Sequence, residues 1–148
     1  MTIWRIMAHH ENPDRMIEWS KKAGRIAVGW GRVGDLRLPK FATYDDFREA
    51  LKKNYPEHPN RMQGGPSLWN FWHMEIGDLA IISSGWRRSH VVEIVGDYQW
   101  EKQRSWFGDY WHQRAAVVTE HVANELWSRV GCSVAKGENV RWTVARCK

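Results

Sequence analysis

The chain has 148 residues, 43% of them hydrophobic and 26% charged, which is enough to bury one domain's core and excludes a disordered tail, a collagenous repeat and a low-complexity scaffold. No run approaches 18 apolar residues, and the opening Met1-Thr2-Ile3-Trp4-Arg5 lacks the apolar stretch of a secretory signal, so a cytoplasmic protein without a membrane span is expected. A formal charge of +5 favours polyanionic partners, either nucleic acid or an acidic membrane surface.

Ile3 to Ala8 reads as a first strand. Asn12-Pro13 then supplies an N-cap and a proline at the first helical position, opening a helix to Ala23 with Met16, Trp19 and Ala23 on one side, Ile17 beside them, and Gly24 as a left-handed stop. Arg25 to Trp30 is a short strand. After a glycine-rich turn and Pro39, Thr43 with Asp46 forms a capping-box pattern, and Tyr44, Phe47, Ala50 and Leu51 trace the apolar face of a helix ending before Tyr55-Pro56. Residues 57–65 read as a loop, and Pro66 as the start of a short helix carrying Leu68, Trp69, Phe71 and Trp72. Gly77-Asp78 turns into a buried-type strand, Leu79 to Ser83, followed across the loop Ser84 to Ser89 by an antiparallel neighbour, Val91 to Tyr98. A long loop from Gln99 to Asp109 leads to a strand over His112 to Thr119. Val122, Leu126 and Val130 mark one more helix, stopped at Gly131. Val140, Trp142 and Val144 alternate with Arg141, Thr143 and Ala145 as a last strand with one wet face. Consecutive strands with short connections predict an α+β fold, a single small curled sheet or barrel over residues 1–148, rather than a parallel layered sheet.

Two cysteines, Cys132 and Cys147, offer neither a disulfide framework nor zinc-ligand spacing and read as plain thiols. Gly29-Trp30-Gly31-Arg32-Val33-Gly34 satisfies G-x-G-x-x-G after a strand. A dinucleotide site also needs a helix launched from the last glycine, and Asp35-Leu36-Arg37-Leu38-Pro39 argues against one. The glycines are expected to permit a tight turn with positive φ, and they would also let the ring of Trp30 stand clear and offer a flat face to a planar guest.

Eleven tryptophans against four phenylalanines and four tyrosines is an unusual balance, because an indole N–H must be satisfied when buried. Trp69, Trp72, Trp127 and Trp142 lie on helix or strand patterns and are expected in the core. Trp30, Trp86, Trp100, Trp106 and Trp111 fall in loops or at loop edges, where two or three rings could hold an unstacked base while Ser83, Ser84 and nearby main chain bond its edge. Cations interleave with those loops: Arg32 and Arg37, then Arg87 and Arg88, then Lys102 and Arg104. Any one of them reads as a solvated charge, but their coincidence with indoles in three loops suggests phosphate contact. Histidines at positions 9, 10, 58, 73, 90, 112 and 121 are scattered without metal or hydrolase spacing, and His9-His10 on a strand would point to opposite faces, so no metal, cofactor or catalytic residue is expected. Asp97 and Asp109 have no partner at a telling spacing.

Four segments together, IWRIM (3–7), AVGWGRVGDL (27–36), NFWHMEIGDLAIISSG (70–85) and HVVEIVGDYQW (90–100) running on to YWHQRAAVV (110–118), make the chain resemble a PUA-like domain, more closely the EVE and YTH-like branch that includes DNA-reading modules of modification-dependent restriction systems. The resemblance implies a small curled mixed β-barrel of about five to six strands flanked by three or four helices, with a pocket at one mouth for an extruded, often modified base. Trp30 matches the cage tryptophan after the second strand, Trp106 the second wall with Trp100 as alternate, and Ser83 and Ser84 the small polar residues after the Gly-Asp turn. In place of the Lys-Ser-type opening of EVE proteins the chain has Met7-Ala8-His9, which leaves the modification open.

The expected function is a non-catalytic reader that takes a base, in DNA rather than RNA, between Trp30 and Trp106, with Trp86 closing the site and Gly31, Ser83, Ser84 and Trp100 contributing. Arg32, Arg87, Arg88 and Arg104 would hold phosphates, and a nuclease is the expected protein partner. The alternatives are an enzyme on a nucleotide or nucleic acid, using His112, Asp109 or His10 as acid or base, and a regulatory domain that recruits a partner through its surface.

Overall fold

Local chemistry places most boundaries. The computed structural model describes residues 1–58 and 61–148, except for the side chains of 61–63. Strand β1 (Ile3–Met7) is followed by helix α1 (Pro13–Ala23), which opens on proline and closes on Gly24 at φ 64°, whose N–H donates to Ser20 O at 2.9 Å. Asn12 occupies the cap position without a side-chain cap bond; the Nδ1 of His9 instead accepts from the Glu11 and Asn12 N–H groups at 3.1 and 3.0 Å. After β2 (Arg25–Val28) and a single 3-10 turn (Gly31–Val33), α2 (Tyr44–Asn54) begins at the predicted capping box, with Thr43 N–H donating to Asp46 Oδ2 at 2.7 Å and Asp46 N–H to Thr43 Oγ1 at 3.3 Å. No α-helix starts from the glycine turn.

Helix α3 (Arg61–His73) differs from the sequence expectation. It starts ahead of Pro66, which lies inside it, and of the expected loop 57–65 residues 59–60 lie outside the described residues. The reason is packing: a Cβ on Gly64 would stand 2.9 Å from Trp30 Cε2 and 3.0 Å from Leu51 Cδ2, so the glycines that weaken the helix locally let it settle against α2 and the indole.

Strands β3 (Leu79–Ser84) and β4 (Arg87–Trp100) form a hairpin whose expected loop, Ser84 to Ser89, shrinks to a two-residue turn at Gly85-Trp86, with Gly85 at φ 58°. Then come β5 (His112–Val118), α4 (Ala123–Arg129) and β6 (Val144–Arg146). The last strand is shorter than the alternation predicted. Val140 and Trp142 lie outside it because their carbonyls accept from Arg5 Nη2, at 2.7 and 2.6 Å, rather than from a neighbouring strand.

The fold is α+β, with one six-stranded mixed sheet in the order β2-β5-β4-β3-β1-β6; only β1 and β3 are parallel. The sheet does not close into a barrel, and β2 and β6 are its two edges. The register shift between Ile94 and Tyr98 bends β4, and there Gly96 admits Ala115, whose Cβ would be 2.8 Å from a Cβ at that position. Both faces of β3 are covered: Ala80 and Ile82 join the main core with Phe47, Leu51, Phe71 and Ile94, while Leu79 and Ile81 join a smaller one with Ala123 and Leu126 of α4. That explains the unbroken apolar run of this strand. Of the tryptophans expected inside, Trp69 and Trp72 are half-buried against the main core and Trp127 against the smaller one, whereas Trp142 belongs to neither. The buried indoles are Trp4, whose Nε1–H donates to Asp78 Oδ2 at 2.9 Å, and Trp30.

Candidate functional site

Two segments meet beside the end of β1: the glycine turn after β2 and the loop 101–111 between β4 and β5. Gly31 is the point of contact. Its N–H donates to Asp109 O at 3.0 Å and its carbonyl accepts from Trp100 Nε1 at 3.0 Å, while a Cβ there would run into Asp109 O and stand 2.6 Å from Trp111 Cε3. Gly29 likewise leaves room for Tyr110, whose Cε1 would lie 3.2 Å from a Cβ. The flanking glycines therefore bring the aromatic loop in close; they do not free the ring of Trp30.

Trp30 sits at φ 62°, a left-handed conformation that an L side chain adopts at a cost, and it is only 8% exposed, packed over Gly64. A buried chain of hydrogen bonds holds it. The Leu36 N–H donates to the hydroxyl of Tyr98 at 3.1 Å, that hydroxyl meets His112 Nδ1 at 2.6 Å, and His112 Nε2 lies 3.0 Å from Trp30 O. A carbonyl can only accept, so the proton is on Nε2 and Nδ1 accepts from Tyr98. Complete burial pushes the pKa of His112 down to about 4, in keeping with this neutral tautomer.

The meeting segments bound a cleft of about 1040 Å³ that includes Trp30, Trp106, Tyr110 and Trp111. His9, just past β1, stacks at 4.4 Å on Tyr110 and 5.7 Å from Trp106, and Arg15 of α1 lies 4.3 Å over the Trp106 ring. Burial lowers the pKa of His9 below its ordinary value, which favours the neutral ring whose Nδ1 accepts two backbone N–H groups. Tyr55 donates to the Asp109 carboxylate and accepts from Arg32 N–H at 2.9 Å, with the Arg32 guanidinium 4.1 Å over its ring. Burial raises the phenol well above its usual range. Arg32 and Arg104 both line the cleft.

Of the residues expected from sequence, the cleft thus gathers Trp30, Trp106, Arg32 and Arg104, with Gly31 directly beneath the loop that forms it. The others lie elsewhere. Trp86 is 96% exposed at the β3–β4 tip and does not close the site, because the two-residue turn projects the indole instead of folding it back. Arg87 donates to Asp14 Oδ1 at 2.7 Å and Arg88 to Asn124 Oδ1 at 2.7 Å, so both are engaged beside that tip rather than at the cleft. Ser83 is buried with its carbonyl on Ala8 N–H, and Ser84 faces Asp14; neither reaches the cleft. Trp100 packs edge-on against Trp111 at 6.0 Å and lines an adjoining depression. Arg37 is held bidentately by Asp35.

Sequence reasoning missed His9, Tyr55 and Tyr110, and named Trp111 among the candidate rings without placing it in the pocket. The dense run Trp106-Phe107-Gly108-Asp109-Tyr110-Trp111 was the available signal for two of them; Tyr55 had none, since its partner Asp109 is 54 positions away. Of the acid–base candidates, His112 is sealed at 0% exposure, whereas His10 and Asp109 line the cleft. Among the described residues no three His, Cys, Asp or Glu side chains could jointly hold a metal ion, and no helix is long and apolar enough to cross a membrane. No curated protein matches the chain. Residues 4–118, from within β1 to the end of β5 and so including both segments that bound the cleft, match a family model described as a domain of unknown function, and the chain belongs to that family, DUF8426.

Proposed function

We propose that the chain is a non-catalytic nucleic-acid reader, a PUA-like domain of the EVE and YTH-like kind, that takes an unstacked, modified DNA base into the cleft and acts with a nuclease in the cytoplasm. What carries this reading is the convergence of His9, Trp106, Tyr110 and Trp111 with two guanidiniums, Arg32 and Arg104, around one opening. Rings offer faces to a heterocycle and the cations offer charge to its phosphates. On this reading the sheet is a PUA-like barrel opened between β2 and β6, with the bend in β4 giving its curl.

Stacking contributes roughly 1–3 kcal/mol per base and unstacking a paired base costs a few kcal/mol, so the rings alone about break even and the arginines supply the remainder. A base methyl adds about 0.8 kcal/mol when buried, and sharper discrimination comes from a hydrogen-bond pattern that the wrong base leaves unpaired.

Titration of tryptophan fluorescence with methylated, hydroxymethylated and unmodified oligonucleotides, each followed by mass spectrometry, tests the proposal. One modified DNA should bind preferentially with its mass unchanged. Trp106→Ala should weaken that binding by about 1–3 kcal/mol, while Trp86→Ala leaves the base preference as it was. Absence of binding across the panel, or a change in oligonucleotide mass, refutes the reading.

A further inference from the structure

Beyond Arg32 and Trp111 lies a second depression of about 730 Å³ that shares those two side chains with the cleft and is lined also by Trp100, Lys40, Lys53 and Lys102. We infer that it is a second subsite, for the nucleotide adjacent to the one in the cleft, and that the single strand crosses the Arg32–Trp111 ridge between the two. This inference rests on the reading of the cleft as a base site.

Charge comes first. Among the described residues Lys40, Lys53 and Lys102 make no ion pair, and all three are exposed. The two carboxylates of the depression are already committed: Asp46 accepts from the Thr43 and Ala42 N–H groups at 2.7 and 3.0 Å, closing the cap of α2, and Glu49 pairs with Lys52 at 3.4 Å. The depression therefore presents cations without a carboxylate partner on three separate segments: the turn before α2, α2 itself, and the loop after β4.

Aromatic surface comes second. The Nε1–H of Trp100 is taken by Gly31 O and that of Trp111 by Gln103 O, at 3.0 and 2.9 Å. Both indoles are half-buried with their donors satisfied, so what remains for a ligand is ring surface. Cations beside such rings suit a nucleotide of any sequence: phosphate on the lysines, base on an indole.

The test compares a mononucleotide, a dinucleotide and a longer single strand, each carrying the preferred base, against the full chain over a salt series. The dinucleotide should bind at least about 5-fold tighter than the mononucleotide, the lower end of one stacked base. In the Lys40→Gln/Lys53→Gln/Lys102→Gln variant that ratio should collapse towards one, and the salt dependence for the longer strand should flatten by about 0.7 for each phosphate no longer neutralised. Lys102→Glu alone should move both quantities the same way. If the mononucleotide binds but the second nucleotide adds nothing, or the triple variant keeps the full salt dependence, the subsite is overturned while the cleft reading stands. If no nucleotide or strand binds at all, both fall.

Discussion

Gly31 shows how one missing methyl group builds a site. Its Cα faces Asp109 O and the Trp111 ring so closely that any Cβ must displace main chain as well as an indole. Gly31→Ala is expected to destabilise the fold by about 1–3 kcal/mol and to loosen the loop 101–111, measured as a lower urea midpoint together with a shift in tryptophan emission. An unchanged midpoint would mean that the loop does not rest on this turn. Tyr98 acts at the same scale from within the core, since one hydroxyl both accepts from Leu36 and bonds the ring that holds the carbonyl of Trp30.

At the scale of elements, the end of α3 depends on Arg114 of β5. Its buried guanidinium donates to Phe71 O at 3.1 Å, Trp72 O at 2.9 Å and Gly96 O at 3.3 Å, tying the last turn of the helix to the bend in β4. A cation at a helix C-terminus also opposes the negative end of its dipole. Arg114→Met keeps the stem and removes all three bonds, and is expected to cost about 2–3 kcal/mol, with faster amide exchange confined first to the end of α3. Exchange that rises uniformly across the sheet instead would place the loss elsewhere. Because α3 carries Gly64 against Trp30, this latch also supports the cleft from behind.

For the whole molecule, the buried imidazoles set the response to acid. Burial lowers the pKa of both His112 and His90 to about 4, against an ordinary 6.5. The unfolded chain therefore binds more protons than the native one across that window, and the stability from these neutral rings is complete above about pH 6.5 and is lost as pH falls towards 4. For His112 the loss is on the order of 3 kcal/mol, and His90, whose Nε2 is buried without a hydrogen-bond partner among the described residues, acts in the same direction. Denaturant unfolding at a series of pH values should show this decline, and a flat profile between pH 6.5 and 4 would contradict it. Asp78 follows the same direction at lower pH: burial alone would raise its pKa, but bonds from Trp4 Nε1–H and the Glu75 and Thr2 N–H groups hold it below the ordinary carboxylate value.

Signals that act over a few residues were legible without coordinates. The proline and glycine bounding α1, the Thr43–Asp46 box, the unbroken apolar run of β3 and the order of elements depend only on near neighbours, and so they can be read from residue order alone. The interleaving of cations with indoles in the chain marked Trp106, Arg32 and Arg104, which line the cleft, and equally Trp86, Arg87 and Arg88, which lie away from it. Which faces of the aromatics remain open depends on packing between segments far apart in the chain. Trp30 turns inward because α3 offers it a glycine and because a histidine 82 positions away holds its carbonyl; Trp86 points outward because the hairpin turn is too short to fold back. Pro66 lies within a helix because packing on α2 outweighs its local preference. Ring exposure is set by contacts between distant segments, and no local pattern encodes those contacts.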